Sequence, residues 1–318
     1  MFNLQLSSNK QAINYDELYD FIALGLGPAG LNAGLYAERK GLKTLVVGQS
    51  LGGQLGNTAE VENYLGFPHI NAQKLIAEFK NHIDELGVTL LTNVIITKIE
   101  KNDSTFIISL NNGKKLHAKT VLYALGGNPR KLGVPGEDRL AGKGVSYCVT
   151  CDGPFYKGKD VVVAGGGNSA IDAARDLARI ANSVTVIQRS VLRADKKSVD
   201  KLLNQPNVKV LLQTQIMEIL GKERVTGVRV FDKSATVERV FKTDGLFIEI
   251  GNTPNTSLLE NLVDLNESGE VIVNDKQQTS LGGLFAAGDI TANSHRQIII
   301  AAAEGAKAAL EAANYINN

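Results

Sequence analysis

Hydrophobic positions along the chain come in short runs that stop at glycine, separated by stretches where small and apolar residues recur at helical spacing. Tyr19–Leu24 is such a run, the pattern of a parallel strand buried on both faces. Ala29–Arg39 follows with helical periodicity and stops at Gly41, and Thr44–Val47 predicts a second buried strand. These make one β-α-β unit. A second is spelled by the strand Val161–Ala164, the glycines Gly165–Gly167, the helix Ala170–Ile180 and the strand Val184–Gln188. The two lie far enough apart for each to own a domain. Between them Thr105–Leu110 and Lys114–His117 flank Asn111-Asn112-Gly113, which predicts a hairpin. Val121–Leu125 predicts a separate buried strand ending in Gly126–Gly127. Further strands are expected at Val208–Leu212, Val225–Phe231, Gly245–Ile250 and Leu284–Ala287, then a C-terminal helix from about Gln297.

Composition narrows the class. The chain has 318 residues, room for about two domains. With 43% hydrophobic and 21% charged residues it can build cores. The formal charge of +1 gives no basic excess to drive nucleic-acid binding. Two cysteines make neither a secreted disulfide framework nor a four-cysteine zinc site. Met1–Asp20 is polar without the charge-then-apolar order of a signal peptide, and no run nears the ~18 apolar residues that span a membrane. The expectation is a soluble, cytoplasmic, two-domain α/β protein.

Gly25-Leu26-Gly27-Pro28-Ala29-Gly30 has the form G-x-G-x-x-G between a strand and a helix. One glycine turns the chain, the next lets backbone approach a pyrophosphate, and the third lets helix and strand pack closely. The helix N-terminus then offers N–H groups and a positive dipole end to the phosphate. Gly165-Gly166-Gly167-Asn168-Ser169-Ala170 repeats the form with alanine last. Two such turns predict two nucleotides passing electrons between them, with flavin and nicotinamide the obvious pairing. Neither unit has the acidic residue that binds a ribose 2′-OH at the end of its second strand. The first has Gly48 and Gln49; the second has Gln188 and Arg189, with Arg193, Lys196 and Lys197 behind. Arginines there favour a 2′-phosphate, hence NADPH.

Cys148-Val149-Thr150-Cys151, followed by Asp152, holds both cysteines of the chain. The spacing lets the sulfurs reach bonding distance, such motifs lower a thiol pKa, and Asp152 can move the proton that exchange requires. His69, His82, His117 and His295 are scattered, which argues against a metal centre. The pair reads as a redox centre.

Taken in order, these motifs resemble the low-molecular-weight thioredoxin reductases. To them are added Gly52-Gly53-Gln54-Leu55, Glu60-Val61-Glu62-Asn63-Tyr64, Gly153-Pro154-Phe155-Tyr156, Gly251-Asn252-Thr253-Pro254-Asn255, Phe285-Ala286-Ala287-Gly288-Asp289 and Arg296-Gln297. The resemblance implies two Rossmann-like, three-layer ββα domains, the second inserted in the first. Residues 1–129 plus 256–318 would bind FAD and 130–255 would bind NADPH and carry the cysteines. Gly25, Gly27, Pro28, Ala29 and Gly30 would hold the FAD pyrophosphate. Gly53, Gln54, Leu55 and Asn63 would line the flavin, Gly288 and Asp289 would meet the ribityl chain, and Arg296 and Gln297 would sit near the ring. Gly165, Gly167, Asn168, Ser169, Arg189 and Arg193 would face NADPH. Cys151 would take electrons from the flavin, Cys148 would attack the disulfide of thioredoxin, and Asp152 would serve as proton donor and acceptor. Gly126–Arg130 and Gly251–Asn255 would be hinges, and the protein would be a homodimer. Family members that use NADPH usually show His-Arg-Arg and a later Arg, of which Gln188-Arg189-Ser190 and Arg193 keep only part. NADH and reduced ferredoxin therefore stay open as donors. Cys148–Tyr156 and Gln297–Gly305 also resemble the flavoprotein reductase of alkyl hydroperoxide reductase, whose additional N-terminal dithiol domain this chain has no room for. A peroxiredoxin-linked dithiol protein is the alternative partner. A non-catalytic redox-sensing flavoprotein is the reading from another class, and a preserved dithiol beside two nucleotide sites argues against it.

Overall fold

The computed structural model describes residues 13–292 and 295–317; most of the polar N-terminal stretch lies outside them. In chain order the principal elements are β1 Leu18–Leu24, α1 Pro28–Arg39, β2 Thr44–Val47, α2 Ala72–Glu85, β3 Thr89–Leu91, β4 Ile96–Asn102, β5 Thr105–Leu110 and β6 Lys115–Tyr123. Then come β7 Val145–Ser146, α3 Val149–Asp152, β8 Asp160–Ala164, α4 Asn168–Ala178, β9 Ser183–Ile187, α5 Lys196–Leu203 and β10 Val208–Leu211. The chain ends with β11 Thr214–Leu220, β12 Gly227–Asp232, β13 Val237–Lys242, β14 Gly245–Ile248, β15 Leu284–Ala286 and α6 Ile298–Asn317. Two compact units result. One is drawn from both ends, up to Asn128 and from Thr253 on; the other is Pro129–Asn252. The two passages between them, Gly127–Pro129 and Asn252–Pro254, pair as a two-stranded ribbon.

In the first unit β3, β2, β1, β6 and β15 form a parallel sheet. Alternate residues go to opposite sides, as the strand repeat requires. Phe21, Ala23 and Val46 join α1 and α6 in one cluster, while Ile22, Leu24, Leu45 and Val47 join Phe106 and Ile108 of the β4–β5 layer in another. Helices, parallel sheet and antiparallel strands are thus three layers. The helical layer is built from small residues. Ala29, Ala33 and Ala37 of α1 share a cluster with Ala301, Ala308, Ala309, Ala312 and Ala313 of α6, and Asn32 Nδ2 donates to the Ala302 carbonyl at 2.7 Å.

The second unit repeats the plan. Its parallel sheet runs β7-β14-β8-β9-β10. Val161, Val163, Val184 and Val186 pack on α4 and α5 residues Ile171, Ala174, Leu177 and Leu202. Val162, Ala164 and Ile187 pack on Ile216, Val228 and Val230 of the antiparallel β11-β12-β13 layer. The α/β, three-layer, double-Rossmann class that the resemblance implies is the class observed.

Three local expectations are corrected. Lys114–His117 and Val121–Leu125 are not separate strands; β6 runs unbroken through both. Its first half pairs antiparallel with β5 and its second half parallel with β15. Thr120 lies fully buried within it because its hydroxyl donates to the Asp20 carbonyl at 2.6 Å, and Lys119 pairs with Asp20 at 2.7 Å. Gln188 lies one residue beyond β9 rather than in it. The amphipathic α2, capped by Asn71 accepting the Gln73 N–H at 3.0 Å, adds a helix to those the glycine-bounded runs predict. Among the described residues no helix is long and apolar enough to cross a membrane.

The α1–α6 contact leaves no room for a side chain at its centre. A Cβ on Gly305 would stand 2.0 Å from the Ala29 carbonyl oxygen. Gly305→Ala should destabilise the first unit by about 1–3 kcal/mol, the usual cost of overpacking, measured by urea denaturation.

Candidate active site

The first glycine turn is built by backbone contact. Gly25 has φ +126°, and a Cβ there would lie 2.1 Å from the Ala124 oxygen; one on Gly30 would lie 1.8 Å from the Gly25 oxygen. Gly27 differs: its nearest obstacle would be Gly53 Cα at 3.9 Å. The turn is therefore closed below by two glycines and open above the middle one. No side chain caps α1, and Pro28 occupies its first turn. An open backbone surface at an uncapped helix N-terminus fits a phosphate. Gly52 and Gly53 are both left-handed, at φ +84° and +55°, and the Gly52 N–H donates to the Leu26 carbonyl at 2.8 Å, so this segment lies against the turn. Gly288 approaches the turn at Ala29: a Cβ on Gly288 would meet that of Ala29 at 3.3 Å.

The remaining expected flavin residues fall into linked groups. Asn63 Nδ2 donates to Gln297 Oε1 at 3.0 Å, and Leu55 is buried in a small cluster with Leu75, Ile76 and Ile298. Gln54 Nε2 donates to the Gly127 carbonyl and to Asn128 Oδ1, both at 2.9 Å. Arg296 pairs with Glu270 at 2.5 Å. Burial pushes the Asp289 carboxyl above the usual range; Arg296 opposes this and Glu304 reinforces it.

The second turn uses the same construction. Gly165, at φ +142°, would bring a Cβ within 2.3 Å of the Glu249 oxygen, whereas a Cβ on Gly167 would meet nothing within 4 Å. No side chain caps α4. The segment after β9 is laced onto this turn: Arg193 N–H donates to the Gly166 carbonyl at 2.7 Å and Asp195 N–H to Asn168 Oδ1 at 2.8 Å. Arg189 and Arg193 are exposed on that segment, and Ser169 is exposed in the first turn of α4. Buried Gln188 turns its amide inward, donating to the Val191 carbonyl at 3.1 Å and accepting the Arg189 N–H at 3.0 Å. The position that would carry a ribose-binding carboxylate is thus neutral and internally satisfied.

Cys148 and Cys151 are joined in a disulfide, with Cα atoms 5.3 Å apart. Cys148 is the N-cap of α3 and Cys151 lies within it, and Cys148 Sγ accepts the Cys151 N–H at 3.1 Å. Both are half-buried. Burial pushes the Asp152 carboxyl above its ordinary range, and a hydrogen bond from Ser146 pulls the other way. Ser146 Oγ also accepts the Cys148 N–H at 3.1 Å, so one buried hydroxyl serves both ends of the motif. Behind the pair, buried Glu137 accepts the Leu132 N–H, the Gly133 N–H and the Tyr147 hydroxyl at 3.0, 2.7 and 2.9 Å. Burial first, and then this bond, push the Tyr147 phenol up. The motifs of the sequence do not single out Ser146 or Glu137. The Ser-x-Cys spacing is the available sign of the first; the second binds distant backbone and leaves none. Among the described residues no cluster of three or more histidine, cysteine, aspartate or glutamate side chains is placed to hold a metal.

Comparison with known proteins is consistent with this geometry. The family model for pyridine nucleotide-disulphide oxidoreductases matches residues 19–305. The chain is 41% identical over 315 residues to the F component of alkyl hydroperoxide reductase from Staphylococcus aureus strain Mu50, covering 98% of this chain and 62% of that relative's length. The structure of thioredoxin reductase from Streptococcus pyogenes superposes with a TM-score of 0.90 at 34% identity, covering 94% of this chain and 98% of that one. That of thioredoxin reductase from Giardia duodenalis also gives 0.90, at 32% identity, covering 95% and 100%.

Two consequences can be measured. Gly27→Ala should leave stability nearly unchanged yet lower the flavin content of the purified protein, whereas Gly30→Ala should cost both. A carboxyl with a raised folded pKa favours folding below the unfolded value, and that contribution is lost as pH rises through the folded value. Asp152→Asn should therefore stabilise the second unit at pH 8 and lose that advantage at about pH 3, below the unfolded carboxyl value. Denaturation at the two pH values checks it.

Proposed function

Since the chain belongs to the pyridine nucleotide-disulphide oxidoreductase family, we propose that it is a thioredoxin reductase drawing on NADPH. The family uses FAD and NAD(P)H, and bound FAD supplies the two-electron carrier between a nicotinamide and a disulfide. The first glycine turn, with Gly53, Leu55, Asn63, Asp289 and Gln297 around it, is the flavin site on this reading. The second turn, with Asn168, Ser169, Arg189 and Arg193, is the nicotinamide site. Neutral Gln188 followed by two arginines supports a 2′-phosphate over a bare ribose.

The observation that carries the proposal is the Cys148–Cys151 disulfide with Asp152 beside it. Two electrons and two protons open the pair to a dithiol. The Cys148 thiolate, which the Cys151 N–H favours, attacks a sulfur of the partner disulfide and releases one partner thiol. Cys151 then attacks Cys148 in the mixed disulfide, closing the original bond and freeing the second thiol. Asp152, with its raised affinity for a proton, takes one from a cysteine thiol as it becomes the attacking thiolate and passes it to the leaving partner thiolate, so the two protons gained on reduction end on the partner dithiol.

A second reading is favoured by the identity to the F component of alkyl hydroperoxide reductase. There the accepting disulfide would belong to a peroxiredoxin-linked dithiol protein. The chemistry at Cys148 is unchanged; only the partner differs.

Cys148→Ser should oxidise NADPH with an artificial acceptor at the wild-type rate and lose thioredoxin reduction by at least about a thousandfold. Thioredoxin turnover by this variant near the wild-type rate would exclude the exchange mechanism. Running wild-type protein with NADPH and NADH, and with thioredoxin and a peroxiredoxin-linked dithiol protein, tests the donor and the partner separately.

A further inference from the structure

Glu304 stands in a face of α6 otherwise made of alanine and glycine, among Ala301, Ala302, Gly305 and Ala308, and is only 8% exposed. The chemistry above does not use it. A carboxyl group in such a contact costs free energy to bury unless its bonds are needed there, and alanine would pack as its neighbours do.

One bond it makes is to backbone. Glu304 Oε2 accepts the Gly288 N–H at 2.7 Å. Gly288 is left-handed, at φ +81°, and its carbonyl accepts both the N–H and the hydroxyl of Thr291, at 3.0 and 2.9 Å. The turn that presents Asp289 is therefore closed by Thr291 on one side and held by Glu304 on the other. Glu304 also adjoins Gly305, the residue that lies against the Ala29 carbonyl, and Gly288 itself faces Ala29. One carboxyl group thus ties the Asp289 turn to the helix packed against the first glycine fingerprint.

We propose that Glu304 is a positioning residue of the flavin site: through the Gly288 N–H it fixes the turn that holds Asp289 beside the first glycine fingerprint, and so sets how tightly FAD is held. This rests on the reading of that fingerprint as the FAD turn. The charged groups acting on Asp289 are Glu304, of like sign, and Arg296, of opposite sign and itself paired with Glu270.

The test titrates FAD into the apoprotein of the full chain, following quenching of flavin fluorescence. Glu304→Met keeps the shape and removes the acceptor; it should weaken FAD binding about tenfold or more, the loss expected from stranding a buried donor. Glu304→Gln keeps an acceptor oxygen for Gly288 and should bind within about threefold of wild type. Glu311→Gln, at a half-buried residue of the same helix that pairs with Lys276 from outside it, should bind as wild type. If Glu304→Met binds FAD as tightly as wild type, or Glu304→Gln loses as much as Glu304→Met, the proposal is overturned. Should Glu304→Met not fold, Glu304→Leu, which also lacks the acceptor, takes its place in the titration, and FAD binding by it as tight as wild type overturns the proposal. Wild-type apoprotein that takes up no FAD would instead overturn the flavin reading, and this inference with it.

Discussion

Backbone lying directly on backbone, at positions where a Cβ cannot exist, is the constraint on which the first unit depends. Gly25 lies on the Ala124 carbonyl, Gly30 on Gly25 and Gly305 on Ala29. The first sets the glycine turn against the chain that leaves β6, the second sets α1 on that turn, and the third sets α6 on the first turn of α1. The small-residue face shared by α1 and α6 follows from the same need. So does the placing of Gly53 against Gly27 and of Gly288 against Ala29. The second unit repeats the device with Gly165 on the Glu249 carbonyl. In both, the glycines that the fold needs and the glycine that leaves space above the turn are different residues, so packing and ligand approach are separable within a single motif.

The redox motif works against a different limit, desolvation. Half-burial of Cys148, Cys151 and Asp152 shields the exchange centre but raises the cost of any charge held there. Ser146 moderates that cost at the carboxyl, and the Cys151 N–H does so at the Cys148 sulfur. The most buried charge-bearing group of the neighbourhood, Glu137, takes three hydrogen bonds, two of them from backbone. Ionisable groups are tolerated around this centre in proportion to the fixed donors aimed at them.

The β-α-β units were legible because strands such as Thr44–Val47 are buried on both faces and bounded by glycine, so hydrophobicity alone marks them. The single long strand β6 was not, because Lys119 and Thr120 interrupt its apolar run; their polarity is answered by Asp20, about a hundred residues away. The glycine turns and the cysteine pair could be read from local spacing. Gln188 could be located but not understood, since its part depends on a side chain folding back on its own loop. Glu137 and Glu304 bind the backbone of residues distant in sequence, and a pattern of side-chain types carries no trace of such a bond.

The discontinuous first unit has a consequence for biosynthesis. Its sheet gains β15 and its helical layer gains α6 only after residues 284–317 have been made, whereas everything in the second unit is complete at Asn252. A nascent chain emerging from the ribosome therefore finishes its interior unit first, while Phe21, Ala23 and the alanine face of α1 wait for their partners. During that interval the exposed face belongs to the older end of the chain, and it is there that a chaperone binding to unfinished apolar surface would find its substrate.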